Sequence, residues 1–413
     1  MSFKSDLENL KGKLPENGFA VPIDLDASSL SEVVNHLVSS SSGNEYNFLV
    51  LDDSILLSST IKDYLQESGK STEIVLSLKV LPTARAPQPK SESDQPDWIS
   101  CLSTGNGTVI ASGCYDGFVR VYDCKSRKLM LTSSSSHKGA VKDVAMREDF
   151  VLSASKDRTA VVWKRNKSGL ERFALCEGHS DSVEAIAIRP GQSNMQFVTA
   201  GWDRTVHQYT LEENEEEEEE ESKRSKRQKK NSTGDSIPSG LRKLQPKNSL
   251  MGHTGSVTSA KWLDATKLCT GSYDHSLRVW DMNMGVCEST IHCGRVVTDL
   301  SCQPNGSLVC TSHPDGVARL WDSRVSNGES VVATAHFKSH KGWISSVDWT
   351  SSSQFVTAGY DGTLIIWDCR GKKPLHKIRH GDEDSKALCV LGSVPGVLIS
   401  GGSDKKLKWF SSI

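Results

Sequence analysis

The stretch Ser153-Ala154-Ser155-Lys156-Asp157-Arg158-Thr159-Ala160-Val161-Val162-Trp163 reads as a strand, a tight turn and a second strand. Its form recurs seven times. The turn aspartates are Asp116, Asp157, Asp203, Asp274, Asp315, Asp361 and Asp404. Six residues after each stands a ring: Tyr122, Trp163, Tyr209, Trp280, Trp321, Trp367 and Phe410. Four residues before each stands a hydroxyl: Ser112, Ser153, Thr199, Thr270, Thr311, Thr357 and Ser400. Successive aspartates are 41, 46, 71, 41, 46 and 43 residues apart. Asp361-Gly362, between Phe355-Val356-Thr357 and Leu364-Ile365-Ile366-Trp367, is the strongest single hairpin signal.

Histidines precede many units: His137, His179, His253, His340 and His380. One such histidine beside a serine and an aspartate suggests catalysis. Five in the same place suggest a structural chain in which His, Ser/Thr, Asp and Trp satisfy one another inside a sheet. Four sets are expected to form it: His137, Ser153, Asp157 and Trp163; His179, Thr199, Asp203 and Tyr209; His253, Thr270, Asp274 and Trp280; His340, Thr357, Asp361 and Trp367. This unit resembles the WD40 repeat over residues 97–413, and a period of 40–45 residues is that repeat's mark. The fold class implied is mainly β: a seven-bladed WD40 β-propeller behind a small α+β domain. Blade five looks degenerate, with no Gly-His before it and Pro314 at its turn.

Composition agrees. Lys plus Arg number 49 and Asp plus Glu 51, a net charge of −2 that argues against a general field for nucleic acid. The 11 cysteines show neither a CxxC pair nor metal-ligand spacing, and read as core thiols of a reducing compartment. Neither a signal peptide nor a long apolar run is visible, so secretion and membrane spanning are not expected. No nucleophile–base pair, phosphate loop or metal set stands out. Gly105-Asn106-Gly107 is a turn with no helix after it. The expectation is a scaffold without cofactor, not an enzyme.

Residues 1–81 do not fit the repeat. Leu30, Val33, Val34, Leu37 and Val38 mark one face of a helix, with Ser29 and Glu32 as its capping box. Phe19 to Ile23 reads as a short edge strand. Asn47–Leu51 and Ile55–Leu57 flank an Asp52-Asp53-Ser54 turn. A short helix from Ser59-Thr60 stops at Gly69, and Ile74–Val80 alternates as the final strand. This is the element order of a ubiquitin-like (β-grasp) domain, although Met1–Leu14 lacks the alternation of a first strand. Residues 82–96 form a proline-rich linker, and the segment before Asp97 is expected to supply the strand that the last blade lacks.

A charged insertion at about 212–248 separates blades three and four. Glu212, Glu213 and Glu215–Glu221 are followed by Lys223, Arg224, Lys226, Arg227, Lys229 and Lys230. Neither run can build a core. The basic run has the composition of a nuclear-localisation signal, and contact with RNA phosphates is a further option for it. Four of the residues just before the turn aspartates are aromatic: Tyr115, Trp202, Tyr273 and Tyr360. They share one place in their blades and therefore one propeller face, either as a partner-binding ring or as packing between blades.

Together, the ubiquitin-like domain, the propeller and the insertion resemble the WD-repeat subunits of the PeBoW ribosome-assembly complex. The likeness rests on Leu30-Ser31-Glu32-Val33-Val34-Asn35-His36-Leu37, Asn47-Phe48-Leu49-Val50, Ala86-Pro87-Gln88-Pro89 and Asp97-Trp98-Ile99-Ser100. Notchless, with an extra blade and without this insertion, is the next family. The resemblance implies a nuclear scaffold, found in nucleolus and nucleoplasm. It acts in 60S subunit assembly and in processing the pre-rRNA that gives 28S/25S and 5.8S rRNA. Its implied partners are pescadillo, block-of-proliferation protein, the midasin AAA ATPase and pre-60S particles. It also implies that Glu73 completes a metal site on midasin in trans, as a hard cation with an open position requires. Asp52 and Asp53 are weaker candidates. Trp321-Asp322-Ser323-Arg324 and Trp367-Asp368-Cys369-Arg370 resemble the box by which some propellers join cullin-4 ubiquitin ligases, the alternative function.

Overall fold

The structure is a computed structural model that describes residues 2–5, 10, 14, 20–38, 44–71, 73–83, 86–192, 194–211, 241–324 and 333–411. It divides into two compact units, an N-terminal domain and a propeller. In the domain, β1 (Ser2–Ser5) is followed by α1 (Ala27–Leu37), β2 (Tyr46–Val50), β3 (Ile55–Leu56), α2 (Ile61–Ser68) and β4 (Ser77–Pro82). The sheet order is β1-β4-β2-β3. First and last strands run parallel, from Ser2 opposite Ser77 to Ser5 opposite Val80, as a β-grasp requires. Leu30 and Val34 of α1 pack with Phe48, Val50, Leu65, Leu78 and Val80 in one buried cluster.

Several expectations are corrected here. β1 exists although its sequence does not alternate, because parallel backbone pairing along β4 can hold an edge strand without an apolar face. Helix α1 begins before Ser29. Its cap is Asp26, whose extended backbone lets its carboxylate accept the Ser29 N–H at 2.9 Å. Residues 20–23 are not a strand. α2 has its capping box at Thr60 and Asp63 and ends on Gly69, left-handed at φ 67°. The last strand starts at Ser77, so Ile74 and Val75 stay exposed.

The propeller has seven sheets. The innermost strand of each contacts that of the next, and the seventh (Ala387–Leu391) returns to the first (Ile99–Thr104). Every turn aspartate has the same local job. The residue after it is left-handed in all seven blades: Gly117, Arg158, Arg204, His275, Gly316, Gly362 and Lys405, at φ 61–83°. Four of these carry a side chain, at a cost of about 1 kcal/mol each. The aspartate offsets it by accepting the N–H two residues on, for example Thr159 at 3.0 Å and Lys406 at 3.1 Å.

Neighbouring blades are stitched through their inner strands. The hydroxyls of Ser100, Thr258, Thr298 and Ser345 donate to the carbonyls of Val141, Val297, Ile344 and Ala387 of the next blade, at 2.6–2.8 Å. Where the equivalent residue is Lys142, it reaches Glu184 of blade three at 3.3 Å. Asp299 accepts from Ser259 Oγ of blade four (2.8 Å) and from the Val347 N–H of blade six (3.0 Å).

Blade seven is completed by β5 (Pro89–Asp94), antiparallel to Lys406–Ser411. Part of the expected linker is therefore a strand of the ring. The expected insertion is also shorter at its far end. Arg242–Leu244 adds a fifth, parallel strand to blade two, and Asn248–Leu250 is the outer strand of blade three. Residues 212–240, with the acidic run and the six basic residues, lie outside the described residues.

Asp299→Ala would leave the Ser259 hydroxyl and the Val347 N–H short of an acceptor. We expect a loss of about 3 kcal/mol in urea-unfolding stability. A loss below about 1 kcal/mol would show that this stitch is dispensable.

Candidate functional site

Four blades hold the expected chain from Asp through His to the hydroxyl. His137 meets Asp157 through Nδ1 (3.0 Å) and Ser153 through Nε2 (2.7 Å), and the Trp163 indole N–H donates to Ser153 at 2.8 Å. His253 does the same with Asp274 and Thr270, both at 2.8 Å, and Trp280 donates to Thr270 at 2.8 Å. His340 meets Asp361 (3.0 Å) and Thr357 (2.8 Å), with Trp367 buried. In blade three His179 meets Asp203 (2.8 Å) and Thr199 (2.7 Å), but the Tyr209 hydroxyl donates to the Glu177 carbonyl at 3.1 Å.

The other blades reach the same end differently. In blade seven the ring is turned over, with Nδ1 of His380 on Ser400 (2.8 Å) and Nε2 on Asp404 (3.2 Å). Blade five carries its histidine just after the second strand, Leu308–Ser312. Trp321 donates to Thr311 (2.7 Å), Thr311 meets His313 (2.8 Å), and His313 bonds the Val296 carbonyl (2.8 Å). Its Asp315 is paired instead with Arg319, and Asp116 of blade one with Arg120, both at 2.6 Å. A basic residue four after the aspartate accompanies this substitution but does not locate it in the sequence, because Arg278 and Lys408 hold the same place in blades whose histidine still meets the aspartate.

Electrostatics follow from burial. Burial alone would raise Asp157, Asp203, Asp361 and Asp404, yet the bonds and charge of the facing histidines hold each well below the carboxylate range. Asp274 is held at about 2. Burial pushes His313 down to about 4. These groups are committed to the fold, with no substrate-facing nucleophile among them.

The partner-binding candidates share a rim. Tyr115, Trp202, Tyr273 and Tyr360 are 38–52% exposed, together with Trp98 and Trp343. Trp202 lies 6.4 Å from Tyr273, Trp98 5.6 Å from Tyr115, and Trp343 stacks on Tyr360 at 6.0 Å. Lys386 sits 4.8 Å above the Tyr360 ring. Tyr115, Trp202, Tyr273, Trp343, Tyr360 and Lys142 open on a cavity of about 620 Å³. The sequence reading missed its charges. Lys261 points its charge among Asp143, Asp299 and Asp348, which keep it strongly protonated despite burial, while burial raises Asp143 and Asp348. Asp143 and Asp348 also accept N–H groups of the following blade, from Ile186 (3.0 Å) and Gly392 (2.8 Å).

In the N-terminal domain Glu73 is exposed, and no described side chain bonds its carboxylate. Asp53 is engaged by Lys70 (2.8 Å) and by the Tyr64 hydroxyl, which hold it below the usual range; Asp52 is exposed. In the two Trp-Asp-x-Arg boxes each arginine forks onto its own strand's aspartate: Arg324 on Asp322 (2.6 Å) and Arg370 on Asp368 (2.7 Å).

Comparison with known proteins places these features. A family model described as the NLE (NUC135) domain matches residues 1–65, and the WD domain, G-beta repeat, matches 90–123, 171–210, 244–281, 285–322 and 331–368. A protein of Nematostella vectensis named ribosome biogenesis protein WDR12 homolog is 30% identical over 408 residues, covering 96% of this chain and 95% of the relative. The chain belongs to the WDR12 family. WDR12 homologs of Drosophila simulans (97% of this chain, 92% of the relative) and Chlamydomonas reinhardtii (97% and 95%) are likewise 30% identical. The repeat model leaves most of blades two and seven unmatched, yet both form full sheets in this WDR12-family chain.

The depressed groups set the acid response. Their stabilisation is full above the unfolded pKa and is lost as pH falls through the folded value. For His313 the window runs from about 6.5 to about 4, and for Asp274 from about 3.8 to about 2. Urea midpoints should fall gently below pH 6.5 and steeply below pH 4, and His313→Gln should flatten the upper slope. A midpoint constant down to pH 3 would contradict this assignment.

Proposed function

We propose that this chain is a non-enzymatic scaffold of ribosome biogenesis that acts in the nucleus, in nucleolus and nucleoplasm. The observation that carries the reading is similarity over nearly the whole chain to proteins named for ribosome biogenesis. The propeller docks on the pescadillo and block-of-proliferation proteins within pre-60S particles. The N-terminal domain is the handle by which midasin removes it. The assembly step serves processing of the pre-rRNA that yields 28S/25S and 5.8S rRNA.

Two features support the division of labour. The propeller's recurrent polar groups are bonded to each other, which leaves the half-exposed aromatic rim for partners. Aromatic side chains supply much contact area at little entropic cost. On the other domain Glu73 offers a carboxylate that no described side chain bonds, the ligand that a divalent cation with an open position takes. Ile74 (41% exposed) and Val75 (65%) beside it add apolar surface for the same contact. Asp53 is occupied by Lys70 and Tyr64, which leaves Glu73 the better ligand. The basic run Lys223, Arg224, Lys226, Arg227, Lys229 and Lys230 serves nuclear import.

Affinity purification from nuclei tests both halves. Wild-type chain should capture pescadillo-type partners, 60S proteins and midasin. Glu73→Ala should keep the first two and lose at least 90% of the midasin. Trp202→Ala combined with Tyr273→Ala should lower capture of the pre-60S partners at least tenfold. Unchanged midasin capture by Glu73→Ala would sink the handle. Capture of a cullin adaptor without 60S proteins would replace the whole reading with the ligase alternative.

A further inference from the structure

Blade three departs from its neighbours in two ways that meet at one point. Four residues after the turn aspartate, blades two, four and six carry Val161, Arg278 and Ile365, whereas blade three carries His207. The His207 ring lies 4.3 Å from that of His179, centroid to centroid. Its Nε2 lies 3.3 Å from the Thr205 hydroxyl oxygen, whose proton goes to Asp203 at 2.8 Å. In the other three blades the equivalent hydroxyl (Thr159, Ser276, Thr363) approaches the tetrad histidine itself, at 3.2–3.4 Å.

The second departure concerns where a proton sits. An indole N–H can only donate. In blades two and four it donates to the Ser153 or Thr270 hydroxyl, which in turn gives its proton to histidine Nε2. The histidine is thereby fixed as the Nδ1–H tautomer, with that proton on the aspartate. Blade three has no indole. Tyr209 donates its hydroxyl proton to Glu177, and Thr199 is left able to accept from Nε2 of His179, 2.7 Å away. In the metal-free chain Nδ1–H of His179 still donates to the ionised Asp203; entry of an ion shifts that proton to Nε2, where Thr199 accepts it, and frees the Nδ1 lone pair for the ion. On the other ring, Nδ1 of His207 bonds Ser249 Oγ at 2.8 Å, which leaves Nε2 on the inner side. His179, Asp203 and His207 so offer ligand atoms that all lie within 4.8 Å of one another.

We propose that blade three binds a divalent transition-metal ion of the zinc class through His179 Nδ1, the Asp203 carboxylate and His207 Nε2. Two imidazoles and a carboxylate suit that class, with metal–ligand bonds of about 2.0–2.2 Å. Tetrahedral bonds of that length put ligand atoms about 3.3 Å apart, so the His207 ring closes on His179 as the ion enters. The ion takes the place of the proton between His179 and Asp203. Thr199 and Ser249 accept the remaining ring protons, the outer bonds that orient metal-bound histidines. Calcium and magnesium fit poorly, since they ask for six or more oxygens.

The position gives the ion a consequence. His207 lies on Val206–Leu211, the strand that leads into the charged insertion, and Ser249 on Asn248–Leu250, the second strand after it. A bound ion ties together two paired strands of blade three that lie on either side of the insertion in sequence.

The test uses the purified full chain, freed of metal by a chelator. Zn(II) is titrated against a chromophoric chelator, and Co(II) is followed by its visible absorption. One ion per chain is expected, with the d–d bands of a tetrahedral N/O site and no thiolate charge transfer. His207→Gln should weaken binding at least 100-fold. Tyr209→Trp, which restores the indole donor and relocks the Nδ1–H tautomer, should weaken it about tenfold. Zn(II) should raise the Tm of the wild type and not that of His207→Gln. The proposal is overturned if no stoichiometric ion binds, or if His207→Gln and Tyr209→Trp both bind as the wild type does. Should His207→Gln fail to fold, as judged by circular dichroism, Tyr209→Trp decides alone.

Discussion

A propeller depends on one pairing that its own repeat cannot supply, the one that completes the last sheet. Here residues 89–94 pair with residues 406–411, so the two partners are more than 300 residues apart. Ser411 N–H donates to the Gln88 carbonyl and Gln88 N–H to Ser411 Oγ, each at 2.8 Å, and Lys406 pairs with Glu92 at 2.6 Å. Without this strand, blade seven would expose the edge of Lys406–Ser411. The closing strand also fixes where the N-terminal domain's chain must end, because β5 is spent on the ring.

Inside the ring, polar groups are kept because each satisfies another. Asp stabilises the left-handed turn residue and orients histidine, histidine bonds the hydroxyl, and in blades two, four and five a tryptophan bonds that hydroxyl again. Blades that lose one member replace it by charge, as Arg120 and Arg319 do. With those polar groups committed, the function proposed for the chain draws on the aromatic rim, the Glu73 corner and the insertion.

Much of this was legible in the chain. Seven Asp-to-ring spacings give seven hairpins, because the turn's left-handed residue and the buried ring set that distance in every blade. The helix face of Leu30, Val33, Val34 and Val38 was legible for the same reason, as apolar periodicity reflects burial, although Leu37 of the same period is exposed. What escaped lacks a side-chain period. β1 and the fifth strand Arg242–Leu244 are held by backbone pairing to strands distant in sequence. The stitches of Ser100, Thr258, Thr298 and Ser345 use small hydroxyls that look like ordinary strand residues. His207 falls at no metal-ligand spacing, since the fold and not the sequence brings it to His179.

The central claim is that this scaffold serves assembly of the large ribosomal subunit, and pre-rRNA tests it most directly. Depleting the protein from cells and probing precursor RNA should show accumulation of the precursors of 28S/25S and 5.8S rRNA, with 18S rRNA maturing normally. Loss of 18S rRNA alone, or an unchanged precursor pattern, would contradict the account.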